Sequence, residues 1–172
     1  MTDLPVYTAA DIDPTGLAVE SFDNDDAVEL GLTAVEAIRM SGRSLAVRIV
    51  LRGDVVFQAK LRSTGPGNDP WLAGKAAVAE RFGEPSLRVR RTHEEAGTPF
   101  AERADVDHEV LKAHGGSVPI RVDGEVVGTI TMSGSRTSSI TRWSPTPCGA
   151  TSRDAADPPA PPPATRCPST TK

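Results

Sequence analysis

Two kinds of hydrophobic pattern occur in residues 21–134, one with helical spacing and one of β-rich runs. Near the start of this region, apolar residues recur three or four positions apart: Val28, Leu32, Val35 and Ile38. This spacing predicts an amphipathic helix with one buried face. Aspartates crowd its first turn, where they satisfy free N–H groups and oppose the helix dipole. Gly42 follows the last apolar position and predicts where this helix ends.

Two stretches instead show β-rich runs joined by turn residues. The first, SLAVRIVLRGDVVFQAK, turns at Arg52-Gly53-Asp54, and the second, SVPIRVDGEVVGTITMSG, turns at Asp123-Gly124. Glycine and Asp-Gly supply the backbone angles that tight turns require. Each stretch therefore predicts an antiparallel hairpin.

Three further helices are predicted between the hairpins. Asp69 is expected to cap a helix that starts at Pro70 and runs through WLAGKAAVAERFG. Ser86 is expected to cap the next helix, SLRVRRTHEEAG. A short helix over ADVDHEVLKAHGG is expected to begin at Asp105 and to stop at Gly115-Gly116.

The order of these elements sets the fold class. The predicted order is a helix, a hairpin, three helices and a second hairpin. This order contains no βαβ alternation, so residues 21–134 are predicted to form one α+β domain. Its sheet is expected to be antiparallel, with four or five strands and packed helices. Residues 1–20 lack periodicity and are expected to form a loosely ordered lead-in with at most one short helix.

The composition changes abruptly at Ser135. Residues 135–172 contain eight of the fifteen prolines and thirteen Ser or Thr, but no Leu, Val, Phe or Met. Such a segment cannot bury enough apolar surface to fold, so a disordered tail is one interpretation.

A frameshift is the other interpretation of the tail. If the gene is GC-rich and is read one base earlier, the residues after Gly134 become LPDELDHPVVADAVR, in which apolar residues recur at helical spacing behind acidic capping residues. On this hypothesis the domain lacks its terminal helix, which an out-of-frame tail has replaced.

Charge and cysteine content exclude several classes of protein. A net charge of −4 gives no field that would attract nucleic acid or an anionic membrane. The first residues contain neither a basic segment nor an apolar run, so we expect a cytoplasmic protein. Cys148 and Cys167 both lie in the tail, and no metal centre is predicted. Nucleophile elbows and phosphate loops are absent from the sequence, and no catalytic residue is assigned.

Four segments are distinctive: FDNDDAVELG, GNDPWLAGK, ERFGEPS and AHGGSVPIRVDGEVVGTITMSG. Together they resemble the haem-degrading (GlcG/HbpS-like) superfamily, and within it the branch known as uncharacterised protein family 0303. The resemblance covers residues 21–134. It implies a profilin-like fold, assembly of the chain with itself into dimers or larger rings, and haem binding or breakdown, which is attributed to some members.

Haem iron is usually held by His, Cys, Met or Tyr. Within the domain the candidates are His93, His108, His114, Met40 and Met132. His114 is preferred because Gly115-Gly116 beside it would let a flat macrocycle approach the backbone. The alternative is that His114 only interacts with the C-terminus of its predicted helix. His93 and His108 have polar neighbours and are expected to face solvent.

A second group surrounds the start of the helix at residue 70: Asn68, Asp69, Trp71, Lys75 and Arg81. Trp71 and Lys75 are four residues apart and should lie on one side of the helix. With the free N–H groups at the helix start they could hold a carboxylate or a haem propionate. Capping by Asp69 and an aromatic anchor in the core would explain the same pattern.

Two functions remain open at this point. One is a module that binds haem or another small anionic ligand. The other is an oligomeric scaffold or partner-binding protein without chemistry.

Overall fold

The structure, a computed structural model, describes residues 7–134 and is built on a five-stranded sheet. The strands are β1 (Leu17–Val19), β2 (Leu45–Leu51), β3 (Asp54–Lys60), β4 (Ser117–Val122) and β5 (Glu125–Gly134). The helices are α1 (Asn24–Ser41), α2 (Asp69–Phe82) and α3 (Ser86–Glu95), with short 3-10 turns at Pro66–Asn68 and Phe100–Glu102. The predicted tail and its frameshift hypothesis lie outside the described residues.

The strand order is β1-β4-β5-β2-β3. Neighbouring strands are antiparallel except for β1, which pairs in parallel with β4. The predicted α+β class and the two hairpins are thus confirmed. The parallel strand β1 makes the sheet mixed rather than purely antiparallel. Strand β1 was not predicted in the lead-in, because its three residues are too few to show a periodicity.

Both hairpins turn where the sequence predicts. Arg52 and Gly53 have φ angles of 50° and 89°, and Asp123 and Gly124 have φ angles of 51° and 82°. Two consecutive residues with positive φ form the tight turn whose twist matches that of the flanking strands. This turn explains why glycine stands at the second position in both hairpins.

The two faces of the sheet differ in chemistry. Successive side chains of a strand point to opposite faces. On one face, buried apolar residues of β2 and β5 pack against α1: Leu45, Val47, Ile49, Ile130 and Met132. On the other face, the intervening residues Ser133 and Thr131 lie on the side of α2, together with Arg48 of β2. We call these the apolar face and the polar face.

Helix α1 starts and ends as predicted, and of the four predicted apolar positions Ile38 is buried and Val35 is partly buried against the core. Asp23 caps it and Gly42, with φ of 68°, ends it. Its buried residues are Ala27, Gly31, Ala34 and Ile38. Because a Cβ on Gly31 would collide with the ring of Phe57, the helix lies close to the sheet through small residues. The larger Val28 and Leu32 are turned outward and are 39% and 57% exposed.

The predicted caps of α2 and α3 are corrected by one residue. Asn68 stands at the N-cap position of α2, and Asp69 is its first residue. The Asp69 carboxylate instead accepts a hydrogen bond from Lys60 Nζ at 2.7 Å. Pro85 precedes α3, and the buried Ser86 donates its hydroxyl to the carbonyl oxygen of His114 at 2.6 Å.

The helix predicted over residues 104–114 does not form. Apart from the turn at Phe100–Glu102, this segment is irregular. Leu111 and Ala113 are buried against α2 and α3. The backbone N–H of Lys112 donates to the carbonyl oxygen of Gly74 at 3.0 Å. Tertiary contacts with α2 therefore take the place of the helix that the local capping signals indicated.

Candidate functional site

Two clefts adjoin beside the first half of α2, and they share Trp71 and His114. The narrow cleft, of about 380 Å³, is lined by Gly67, Asn68, Trp71, Lys75, His114, Ser133 and Gly134. The wide cleft, of about 480 Å³, is lined by Trp71, Arg90, Glu94, Pro99, Phe100, Ala101, His108, Leu111, Lys112, Ala113 and His114.

Lys75 forms the floor of the narrow cleft and is 2% exposed. It lies on the buried side of α2, where Leu72 and Ala79 also face the sheet. Its Nζ donates to the carbonyl oxygen of Met132 at 3.1 Å. Among the described residues no carboxylate pairs with it, and burial lowers the pKa of Lys75 to about 8.

Asn68 and Ser133 form a fixed polar wall of the narrow cleft. Asn68 Oδ1 accepts from the backbone N–H of Gly65 at 3.0 Å. This bond sets the direction of the amide, so Nδ2 points to Ser133 Oγ at 3.3 Å. The wall offers hydrogen-bonding groups whose positions do not depend on a ligand.

His114 stands between the two clefts with an exposed side chain. Its ring meets Trp71 edge-on, with centroids 5.1 Å apart and an angle of 85°. Its Nδ1 lies 3.4 Å from Nη1 of Arg90. Partial desolvation, and then the charges of Arg90, Lys75 and Lys112, lower the pKa of His114. The imidazole is therefore neutral at neutral pH.

Some residues of the predicted site lie elsewhere. Gly115 and Gly116 are buried and line neither cleft, and Gly116 accepts a hydrogen bond from the Met132 N–H at 2.6 Å. Arg81 is in the last turn of α2, with its guanidinium 5.9 Å from the centre of the Phe82 ring. The carboxylate of Asp69 is held by Lys60 and Arg48, so it faces the β2–β3 hairpin.

The other candidate iron ligands also separate. Met132 is buried in the apolar face, and Met40 is exposed on α1. His93 was expected to face solvent, which is wrong, since its ring packs against Phe100 and its Nδ1 lies 2.8 Å from the Val89 carbonyl oxygen. His108 is exposed, as predicted, and lines the wide cleft.

Sequence reasoning missed Ser133, Arg90 and Lys112 as parts of the site. Arg90 lies on α3, and its Nε is bound to Glu94 at 2.7 Å. Lys112 places its Nζ 5.4 Å from the centre of the Trp71 ring. The alternation of β5 could have assigned Ser133 to one face of the sheet, but not to this cleft. The described residues contain no group of His, Cys, Asp or Glu suited to hold a metal ion.

The chain is similar to known proteins both in sequence and in fold. The model of the family described as "Haem degrading protein HbpS-like" matches residues 22–139. The chain belongs to this HbpS-like family. The match confirms the resemblance drawn from the sequence segments. Within residues 7–134, no helix combines the length and apolar character needed to cross a membrane.

Curated relatives place the chain near the UPF0303 proteins. A UPF0303 protein of Streptomyces coelicolor is 40% identical over 119 residues, which is 69% of this chain and 75% of the relative. A UPF0303 protein of Serratia proteamaculans is 30% identical over 120 residues, which is 69% of this chain and 74% of the relative.

Solved structures share the fold. The Ybr137w protein has a TM-score of 0.63 at 25% identity, covering 70% of this chain and 72% of its own. HbpS has a TM-score of 0.55 at 20% identity, covering 67% and 79%. The chain named in a PduOC:heme complex has a TM-score of 0.56 at 18% identity, covering 68% and 85%.

Proposed function

We propose that the two adjoining clefts bind a flat anionic ligand, with haem as the candidate, and that His114 would hold its iron. The observation that carries the proposal is the position of His114. It is an exposed, neutral imidazole on the wall between an apolar cleft and a polar one. A bound haem would supply redox chemistry at its iron.

The dimensions and lining of the clefts fit such a ligand. Their volumes fall within the range of about 300–1,000 Å³ that is usual for small-molecule sites. Phe100, Leu111 and Ala113 give the wide cleft apolar walls. Arg90 and Lys112 line the same cleft and provide charges for propionate groups. Lys75 and Asn68 could hold a carboxylate that reaches the narrow cleft.

One contact of His114 must change for it to ligate iron. Axial histidines usually bind through Nε2 while Nδ1 carries a proton for an acceptor. Here Nδ1 faces Arg90 Nη1, which is itself a donor. That contact is long, at 3.4 Å, and Arg90 is already held through its Nε by Glu94. A rotation of either side chain frees the imidazole.

The comparisons support haem as the candidate without assigning the site. The family is that of a haem-degrading protein, HbpS, and one structural neighbour is a PduOC:heme complex. Neither statement identifies which residues of this chain would contact haem. His114 is chosen from the geometry of the clefts.

A haem titration of the full chain tests the proposal. We expect a saturable Soret shift that is lost, or moved to another wavelength, in His114→Ala, because removal of the axial ligand breaks the iron bond. His108→Ala is the matched control, since His108 lines the wide cleft but is not the chosen ligand. Equal spectra for wild type and His114→Ala, with a changed spectrum for His108→Ala, would move the iron to His108.

The scaffold alternative has its own supporting observation. Val28, Leu32 and Met40 are large apolar residues of α1 that are exposed on the outer side of the helix. Apolar side chains in such positions favour association of the chain with itself. In this alternative the chain acts as an oligomeric scaffold, and the clefts are by-products of packing α2 against the sheet.

A further inference from the structure

Lys75 has chemistry that ligation by His114 does not use. Burying an ammonium group costs free energy unless it is paired with an anion. Lys75 is 2% exposed, and among the described residues its Nζ has one partner, the Met132 carbonyl oxygen. A carbonyl oxygen accepts from a neutral amine as well as from an ammonium group, though it does not neutralise the charge. Burial therefore makes Lys75 easier to deprotonate than an exposed lysine, and Lys75 lines the narrow cleft.

We propose that Lys75 is a reactive amine that condenses with a small 2-oxo acid bound in the narrow cleft. Its Nζ lone pair attacks the keto carbon as the C=O π bond opens, and one Nζ proton passes to the keto oxygen, giving a carbinolamine. The second Nζ proton then leaves with the hydroxyl group as water, and a C=N bond remains between Nζ and that carbon. Carbon–oxygen bonding is exchanged for carbon–nitrogen bonding and one water is released, so no oxidant or reductant is needed.

The narrow cleft also supplies polar groups for the oxygen atoms of the bound acid. Ser133 Oγ and the Asn68 amide, 3.3 Å apart, line the same cleft as Lys75 and offer hydrogen bonds to those oxygens.

The charges around the cleft select a carbonyl compound that is also an anion. Arg90 and Lys112 contribute a positive potential at His114, which Glu94 only partly offsets. Among the described residues that line the narrow cleft, none carries a carboxylate. A substrate carboxylate would be attracted to this region, whereas an uncharged aldehyde would gain nothing from it.

The state of the amine agrees with this role. Only the unprotonated form of a lysine is a nucleophile, and catalytic lysines of this kind are desolvated in pockets. Because the pKa of Lys75 is about 8, close to half of the Lys75 side chains are unprotonated at a pH of about 8. An exposed lysine, with a pKa of about 10.4, is unprotonated to well under about 1% under the same conditions.

Reductive trapping tests the proposal on the full chain. The protein is incubated with pyruvate and sodium cyanoborohydride at a pH of about 8, near the pKa of Lys75. Modified lysines are then located by peptide mass spectrometry. The chain has four lysines, Lys60, Lys75, Lys112 and Lys172, so the sites are readily separated. We expect Lys75 to be modified at least about tenfold more than the other three, because among the described lysines only Lys75 is buried.

The comparison among lysines within one protein needs no variant, so it does not depend on whether a mutant folds. Equal modification of Lys60, Lys75 and Lys112 would overturn the proposal. Lys75→Arg should lose the adduct, and Lys112→Arg should keep it. Acetaldehyde is the probe for the anion requirement, and trapping as efficient as with pyruvate would refute selection of an acid.

The inference does not rest on haem binding. A chain that fails the haem titration can still form the pyruvate adduct, and a chain that binds haem can fail to form it.

Discussion

The two faces of the sheet show how differently one set of strands can be used. The apolar face is closed by α1 with aliphatic side chains and small helix residues. The polar face has Lys75, Ser117, Thr129, Thr131 and Ser133 buried beneath and beside α2. Burying a polar group costs free energy unless it is hydrogen-bonded, and burying a charge costs more unless an anion pairs with it. Thr129 Oγ1 has no hydrogen-bond partner among the described residues, and Lys75 Nζ bonds only to a carbonyl oxygen there. The polar face is therefore where the chain gives up stability, and it is also where the clefts lie.

The largest effect is expected on the apolar face. Ile49 is fully buried in the core that α1 covers. Ile49→Ala should lower the free energy of unfolding by about 2–5 kcal/mol, because it removes buried methyl groups and leaves a cavity. Urea denaturation measures the loss. The neighbouring Val50 is only partly buried and is the control, so Val50→Ala should cost clearly less. Equal losses would contradict the assignment of the core to the apolar face.

Lys75→Met should act in the opposite direction on the polar face. The pKa of Lys75 falls from 10.5 to about 8 on folding, so between these pH values the unfolded chain binds more protons than the folded chain. Stability of the wild type should therefore rise with pH across this window, by up to about 3 kcal/mol.

Below pH 8 both states carry the charge, and the folded state bears the full desolvation cost. Lys75→Met should be more stable than wild type there and should lack the rise. Denaturation curves at several pH values measure both features. Parallel pH profiles for the two proteins would show that Lys75 is not desolvated.

Two threonines of β5 provide a sign test on the same face. Thr129 Oγ1 is buried without a hydrogen-bond partner among the described residues. Thr129→Val removes that orphan hydroxyl and should stabilise the fold by about 1 kcal/mol. Thr131 Oγ1 lies 2.8 Å from Ser117 Oγ, so Thr131→Val should destabilise the fold by leaving the serine unpaired. Melting temperatures measure both, and shifts of the same sign would contradict this account.

The smallest effect on folding is expected at Leu32, on the outer side of α1. Leu32 is largely exposed, so Leu32→Glu should change the free energy of unfolding by less than about 0.5 kcal/mol. If the chain assembles through this surface, the same change should lower its mass in light scattering. Glu36→Gln is the control, because Glu36 is exposed on the same helix. An unchanged mass would remove the α1 surface from any interface.

Local rules explain which parts of the fold could be predicted from the sequence. The caps at Asp23 and Gly42 and the turns at Gly53 and Gly124 depend on a few neighbouring residues, and all four form as expected. The stripe of α1 could not be predicted correctly because it depends on Phe57, which comes from β3. The irregular path before His114 likewise depends on contacts of Leu111 and Lys112 with α2.

The candidate site was predictable to the same extent. Asn68, Trp71 and Lys75, which the sequence grouped, line one cleft because they belong to one helix and the turn before it. Arg81 and Asp69 were included by sequence proximity, yet their side chains point to other partners. The pairing of Asn68 with Ser133 joins residues 65 positions apart in the chain. No local pattern contains that information.

The position of β5 has a consequence for folding during synthesis. β5 is the last strand of the described region in chain order, yet it lies in the middle of the sheet, between β4 and β2. Synthesis releases a chain from its N-terminus, so the hairpin of β2 and β3 leaves the ribosome before its inner neighbour exists. Until residue 134 has emerged, the inner edge of β2 presents unpaired N–H and C=O groups. During this interval the edge can bind a chaperone or a second nascent copy of the chain. The edge is covered only when β5 pairs with β2.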